Sequence, residues 1–166
     1  MQIPIVDESD NFLYYKDAYT RDRRTEITRS AVLWVIDEYN KILLSRRSPT
    51  KSHFPNTWGP SVGGILEEGE TYESNVRKEA EEEIGLHVGE LVLGDKKRES
   101  DDHEYFNQYF FAHVDSSAQF NFEDHEVDKA KWLSLAELKE MYTNNKEIFI
   151  PDFKSSLEVI EKYLTK

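Results

Sequence analysis

Apolar and β-branched residues run almost unbroken from Ile27 to Ile36, and after the polar stretch Asp37 to Lys41 a second apolar run follows at Ile42, Leu43 and Leu44. This pattern predicts a hairpin or two adjacent strands. Ser45 to Asn56 is polar and carries Arg46, Arg47, Lys51 and Pro55, which reads as a basic loop; a short apolar run at Trp58 to Val62 then ends in Gly63-Gly64. Thr71 to Ile84 contains no Gly or Pro and is rich in helix formers, so a helix is expected there with Gly85 as its C-cap. Leu86 to Leu93 and Tyr105 to Val114 read as strands flanking a charged loop, Asp95 to His103. Ser134 with Glu137 three residues on has the form of a capping box, placing a short helix at Leu135 to Tyr142. Leu157, Ile160 and Leu164 recur at helical spacing and predict a last helix from Phe153 to Leu164. Strands and helices interleave without regular βαβ alternation, and the expected fold class is α/β, with a mixed sheet between helices.

The 166 residues show no internal repeat and no linker long enough to separate domains, so a single domain over 1–166 is expected. Residues 1–26 form an extension whose aromatic stretch FLYYKDAY is poorly explained as free tail; an extra strand or a contact in a homodimer is the expectation. No run approaches the ~20 apolar residues that cross a bilayer, and MQIPIVDESDN lacks the basic start and apolar run of a secretory signal, which points to the cytoplasm and away from a membrane partner. There is no cysteine, so disulfides, thiolate metal sites and cysteine nucleophiles are excluded. A formal charge of −12 opposes binding of a nucleic-acid polymer. Carboxylates that hold divalent cations can still invert the local field and admit a small phosphorylated metabolite.

The chemically informative stretch is GGILEEGETYESNVRKEAEEEIGL, Gly63 to Leu86. Glu79, Glu82 and Glu83 are three and four residues apart and share one helical face, where like charges repel unless a cation sits among them. A hard divalent ion such as Mg²⁺ suits such oxygen ligands, and the two glycines let backbone carbonyls approach it. The plainer alternative is a solvated Glu-rich helix laced by Arg77 and Lys78.

The whole segment resembles the Nudix box: Gly, five residues, Glu, seven residues, then Arg-Glu-apolar-any-Glu-Glu-any-Gly-apolar. Gly64, Glu70, Glu79, Glu82, Glu83, Gly85 and Leu86 fall on its positions without a gap. Lys78 stands where the family has Arg, and Ala80 replaces a bulkier aliphatic residue. The resemblance implies a Nudix-type α/β/α sandwich and hydrolysis of a pyrophosphate linkage with Mg²⁺, for which Mn²⁺ can substitute. It further implies that Glu79, Glu82, Glu83 and the Gly63 carbonyl surround the metal, and that Glu79 orients or deprotonates water. In this family the base can also lie outside the box; Glu104 and Glu126 are the candidates, each equally readable as a solvated loop acid. Arg46, Arg47 and Lys51 are placed to meet the distal phosphate, or are surface charges at a strand end. Tyr72 and Tyr105 are candidates to stack on a base, whereas Trp58 and Phe149 read as core.

A finer resemblance, KILLSRRSPTKSHFPNTWGPSVGGILEEGETY, is to the Nudix branch that includes isopentenyl-diphosphate isomerases. Gly63 and Ile65 occupy the positions of that branch's catalytic cysteine and metal-binding histidine, so the isomerase chemistry lacks its acid-base partner. A catalytically weak binding domain on the same scaffold is the third reading, opposed by the intact carboxylate set.

Overall fold

The computed structural model describes residues 1–166. Residues of the N-terminal extension form an antiparallel hairpin, β1 (Gln2–Val6) and β2 (Phe12–Asp17), which is a two-stranded sheet of its own. Its turn is held by Asp7, whose carboxylate accepts the backbone N–H of Ser9 at 2.8 Å and of Asn11 at 2.9 Å. The expected extra strand is therefore a pair, and Val6 bridges to Ile27 where the main sheet begins.

The long apolar run is the central strand β3 (Thr28–Ile36), followed by β4 (Ile42–Arg47), β5 (Trp58–Gly59) and β6 (Val62–Ile65). Helix α1 (Tyr72–Ile84) leads through a loop to β7 (Val92–Ser100) and β8 (Glu104–His113). The chain finishes with β9 (Val127–Leu133), α2 (Leu135–Asn144), a 3₁₀ turn at Lys146–Ile148, and α3 (Phe153–Leu164). β3 pairs in parallel with β8, from Thr28 opposite Tyr105 to Ile36 opposite His113, and antiparallel with β6 on its other edge. β7 extends the sheet beyond β8, while β4 pairs with β5 and β9.

Both faces of β3 are buried, which is why it reads as a continuous apolar run rather than an alternating one. Ala31, Leu33 and Val35 pack with Val76, Ala80 and Ile84 of α1. Val32, Trp34 and Ile36 face the other way, toward Phe153, Leu157 and Ile160 of α3, with Trp34 and Phe153 edge to face at 6.1 Å. Helices thus cover both faces of a mixed sheet, as the sequence predicts. No helix is long and apolar enough to cross a membrane.

The two runs expected as a hairpin are adjacent strands that share one ladder position, Ile36 opposite Ile42, and then splay apart. Buried Ser61 fills the opening: its hydroxyl accepts the Val35 N–H at 2.8 Å and donates to the Leu43 carbonyl at 2.6 Å, and Ser45 donates to the Ser61 carbonyl at 2.9 Å.

Two expectations fail. The strand placed at Leu86 to Leu93 lies later, at Val92–Ser100, so most of the expected charged loop is strand and only Asp101 to His103 turn the hairpin. Its charges belong to a partly exposed edge: Arg98 pairs with Glu8 at 3.0 Å and Lys96 with Asp10 at 2.5 Å, both from the hairpin of the extension. Leu86 to Glu90 is loop, pinned by Arg77, which donates to the carbonyls of Val88 and Gly89 at 2.8 and 2.9 Å. Strand β9, VDKAKWL, is not evident from the sequence beyond Trp132 and Leu133, because its charged residues hide an edge pairing with β4.

Candidate active site

Helix α1 starts at a capping box, with Thr71 accepting the Ser74 N–H at 3.0 Å and Ser74 accepting the Thr71 N–H at 2.9 Å. It ends at Gly85, in the left-handed region at φ 66°, where the N–H groups of Gly85 and Leu86 close on Glu81 and Ala80 carbonyls. Both ends are fixed by local sequence, so the phase of the helix is fixed too. Val76, Ala80 and Ile84 face the sheet, and Glu83, seven residues after Val76, turns inward beside them. Glu83 is only 8% exposed, whereas Glu82 lies on the exposed side.

The loop before α1 is clasped by Glu70. Its Oε2 accepts the Glu67 N–H and the Asn75 amide, both at 2.8 Å, and Asn75 also donates to the Ile65 carbonyl at 3.0 Å. Lys78 Nζ lies 2.5 Å from Glu70 Oε1 and 3.6 Å from Glu79 Oε1, so the lysine that replaces the family's arginine links the loop to the helix carboxylate. Glu79 in turn lies across Gly64 of β6, where any Cβ would be 2.5 Å from its Cγ and Cδ.

These carboxylates are difficult to ionise together. Burial raises the Glu79 carboxyl to about 7, with Glu82, Glu70 and Glu126 adding to the effect and Lys78 opposing it. Glu83 is pushed well above the carboxylate range, first by burial and then by Glu79 and Glu126; the Gly63 backbone amide and Lys51 offset only a fraction of this. Glu83 Oε2 is buried with no hydrogen-bond partner.

A cavity of about 560 Å³ opens where β3 and β4 diverge, and it contains several of the residues named from sequence. Gly63, Glu83, Arg46, Arg47, Lys51, Tyr105 and Glu126 line it. Lys51 reaches Glu126 at 2.7 Å, Arg47 donates to the His53 carbonyl at 3.0 Å, and Arg46 is held in both arms by Asp128 over the Trp58 ring. The Tyr105 hydroxyl lies 2.8 Å from Asp101 and 2.9 Å from Asp152, which share its one proton, and one face of its ring stacks on His103 at 4.2 Å. Glu79 sits at the margin over Gly64, and Glu82 is felt there only through its charge. Trp58 and Phe149 are buried core residues joined by a β-bridge, as expected.

Two residues assigned to the site from sequence are placed elsewhere. Glu104, offered as a metal ligand or base, is bound by Arg98 at 3.0 Å and by the Ser100 hydroxyl, because alternation along β8 directs it away from Tyr105. Tyr72, offered as a stacking residue, donates to Asp10 at 2.9 Å under the ammonium of Lys96, which covers its ring at 4.8 Å. It secures the N-terminal hairpin to α1. Asp101, Asp102 and His103 form a second acidic group at the β7–β8 turn, compensated by Arg23, which reaches Asp102 at 2.7 Å.

Sequence reasoning misses Asp152, Asn107 and Arg21, all on the cavity wall. Asn107 carries a signal: with Gln108 it interrupts the apolar run of β8, and a buried amide needs a partner, here Asp152 at 2.8 Å. Asp152 and Arg21 carry none, since only the fold brings them to the same wall.

Known proteins resemble this chain in sequence and in fold. A family model for the NUDIX domain matches residues 26–153. A Nudix hydrolase of Deinococcus radiodurans is 40% identical over 68 residues, 41% of this chain and 40% of that protein. A prenyl-diphosphate phosphatase of Methanosarcina mazei is 40% identical over 83 residues, 50% of this chain and 48% of that protein. The chain therefore spans about half the length of the curated relatives it matches or less. A crystal structure from Deinococcus radiodurans superposes with a TM-score of 0.82 over 98% of both chains at 23% identity, a likeness of fold. With the family match covering most of its length and Glu83 of the box on the wall of the cavity, the chain belongs to the Nudix family.

Proposed function

We propose that this protein hydrolyses a pyrophosphate bond in a small nucleoside-diphosphate-linked or related phosphorylated metabolite, with Mg²⁺ as its cofactor and Mn²⁺ as a substitute. The observation that carries the reading is buried Glu83, whose Oε2 has no partner while Glu79 and Glu126 press on it with like charge. Such a group calls for a cation, and the donor set, all oxygen, fits a hard divalent one. Glu79, Glu82, Glu83 and the Gly63 carbonyl would hold it. When bound, such a cation supplies charge neutralisation of the diphosphate and a lowered pKa for water.

The chain's own residues supply the rest. Arg47 and Lys51 bring positive charge to the cavity wall where phosphate oxygens would lie. Glu79, held beside Lys78 and lying over Gly64, is the carboxylate we assign to orient or deprotonate the attacking water. The net charge of −12 supports a small metabolite over a nucleic-acid polymer, and a cytosolic setting belongs to the same reading.

Two further readings are weaker. Isomerisation of isopentenyl diphosphate needs the acid-base cysteine, and here Gly63 occupies that position in a chain without any cysteine. A binding-only domain would not need Glu79, Glu82 and Glu83 together. Phosphate or nucleotide release from a panel of diphosphates, with isopentenyl diphosphate included and its carbon skeleton analysed, tests all three. Release that depends on Mg²⁺ is the expected result; full activity in excess chelator, or a rearranged skeleton without phosphate release, overturns it.

A further inference from the structure

The end of the cavity remote from the carboxylates is built partly by residues outside the family match. On β3, Gly63 stands opposite Val32 and Tyr105 opposite Thr28, four positions apart. At the rise of a strand this separates the two ends by about 13 Å. A diphosphate held at Glu83 would leave its organic group lying toward Tyr105.

That end is polar and incompletely paired. Asp152 accepts Tyr105 at 2.9 Å and Asn107 at 2.8 Å, and both bonds fall on Oδ2, so Oδ1 takes neither. Arg21, in the turn after β2, lines the same cavity, and its Nε is sealed from solvent without a partner. The other cavity arginines are committed: Arg23 to Asp102, Arg46 to Asp128 and Arg47 to the His53 carbonyl. A buried donor left unpaired costs about 1–3 kcal/mol, more when charged, so the orphaned Nε of an arginine on the cavity wall is informative.

We propose that Arg21 and Asp152 form the subsite for the organic group of the substrate, Arg21 donating to an acceptor on it and Asp152 Oδ1 accepting from a donor on it. This deepens the proposed function and rests on that reading. It selects diphosphates of a group bearing both donors and acceptors, a nucleobase or a sugar, over an apolar prenyl chain, which would offer no partner to Arg21 or to Asp152 Oδ1. The N-terminal extension is on this view a specificity element.

The test is kcat/KM for UDP, ADP, UDP-glucose and geranyl diphosphate with wild type, Arg21→Ala, Arg21→Lys and Asp152→Asn. Inorganic pyrophosphate, measured as a competitive inhibitor, reports the diphosphate end alone, and thermal midpoints establish that each variant is folded. The expected result is a loss of about tenfold or more with Arg21→Ala on at least one polar substrate, partial rescue by lysine, and an unchanged pyrophosphate Ki. Whether the nucleoside diphosphates or only UDP-glucose lose rate tells base from sugar. Equal losses on every compound and on pyrophosphate binding, no loss at all, or geranyl diphosphate as the best substrate and indifferent to Arg21 overturns the subsite while leaving diphosphate hydrolysis intact. If wild type turns over none of the four, the proposed function itself fails.

Discussion

Glu79 lies across the bare backbone of Gly64, so close that a single methyl group at position 64 would fall 2.5 Å from two of its carbons. The glycine is required for the approach of a side chain, and its contact is with the carboxylate that the mechanism needs. Gly64→Ala should therefore push Glu79 off its position while leaving the β6 pairing with β3 intact. A displacement of about 1 Å at a catalytic group can cost ~10² in rate, and that is the loss expected in kcat, with the thermal midpoint in chelator changed little. A variant with normal turnover would show that Glu79 is free to move and its placement over Gly64 irrelevant.

Lys78 bridges Glu70 and Glu79 as a point charge where the family uses a guanidinium fork. Lys78→Arg should keep activity or raise it, because two N–H groups can address two carboxylates at once. Lys78→Ala removes the positive charge that holds the Glu79 carboxyl down, so its pKa should climb above about 7 and the acid limb of the pH–rate profile should move to higher pH. Rate profiles of the three proteins from pH 5 to pH 9 decide the matter; superimposable acid limbs would separate Lys78 from Glu79.

Ser61 stands in for a missing ladder between β3 and β4. Replacing it with alanine strands the Val35 N–H and the Leu43 carbonyl in the core, each at about 1–3 kcal/mol. Ser61→Ala should lower stability by roughly 2–6 kcal/mol on that basis, read as the midpoint of urea unfolding at unchanged slope. A loss under about 1 kcal/mol would mean that water enters the opening and takes over both bonds.

Elements whose signals are local are legible in the sequence. Thr71 and Gly85 bracket α1, Ser134 and Glu137 start α2, and the apolar run of β3 announces a strand buried on both faces. The box carboxylates can be named for the same reason, since their spacing sets their face. What fails depends on distant partners. Lys96 and Arg98 look like loop residues until Asp10 and Glu8 of the N-terminal hairpin arrive beside them, and the charges of β9 conceal its pairing with β4. Tyr72, beside the box, and Glu104, as an acid outside it, are drawn to the site from sequence, but that same hairpin binds Tyr72 through Asp10, while Arg98 and Ser100 engage Glu104. Arg21 and Asp152, more than a hundred residues apart, meet one cavity only because the fold brings them there.

The helix carboxylates should set function against stability, and pH exposes the conflict. Burial raises Glu79 to about 7 and Glu83 well above its ordinary value of 4.5. Across pH 4.5 to 7 the folded, metal-free protein thus holds protons that the unfolded chain releases, so its stability falls as pH rises. Glutamine has the same shape and never ionises. Glu83→Gln should therefore raise the thermal midpoint in chelator at pH 8, or leave it unchanged, and flatten its decline with pH; Glu82→Gln, on the exposed side of α1, should move it less. In saturating Mg²⁺ the order reverses: ligand binding adds RT ln(1 + [L]/Kd) to wild-type stability and less to Glu83→Gln, whose kcat should drop ~10²–10³-fold. Midpoints in chelator and in Mg²⁺ across pH 5 to 8, with turnover on the same preparations, measure each effect. If Glu83→Gln were markedly less stable without metal and still turned over substrate normally, Glu83 would be a structural hydrogen-bond partner of the Gly63 amide, and the cation would have to be held elsewhere.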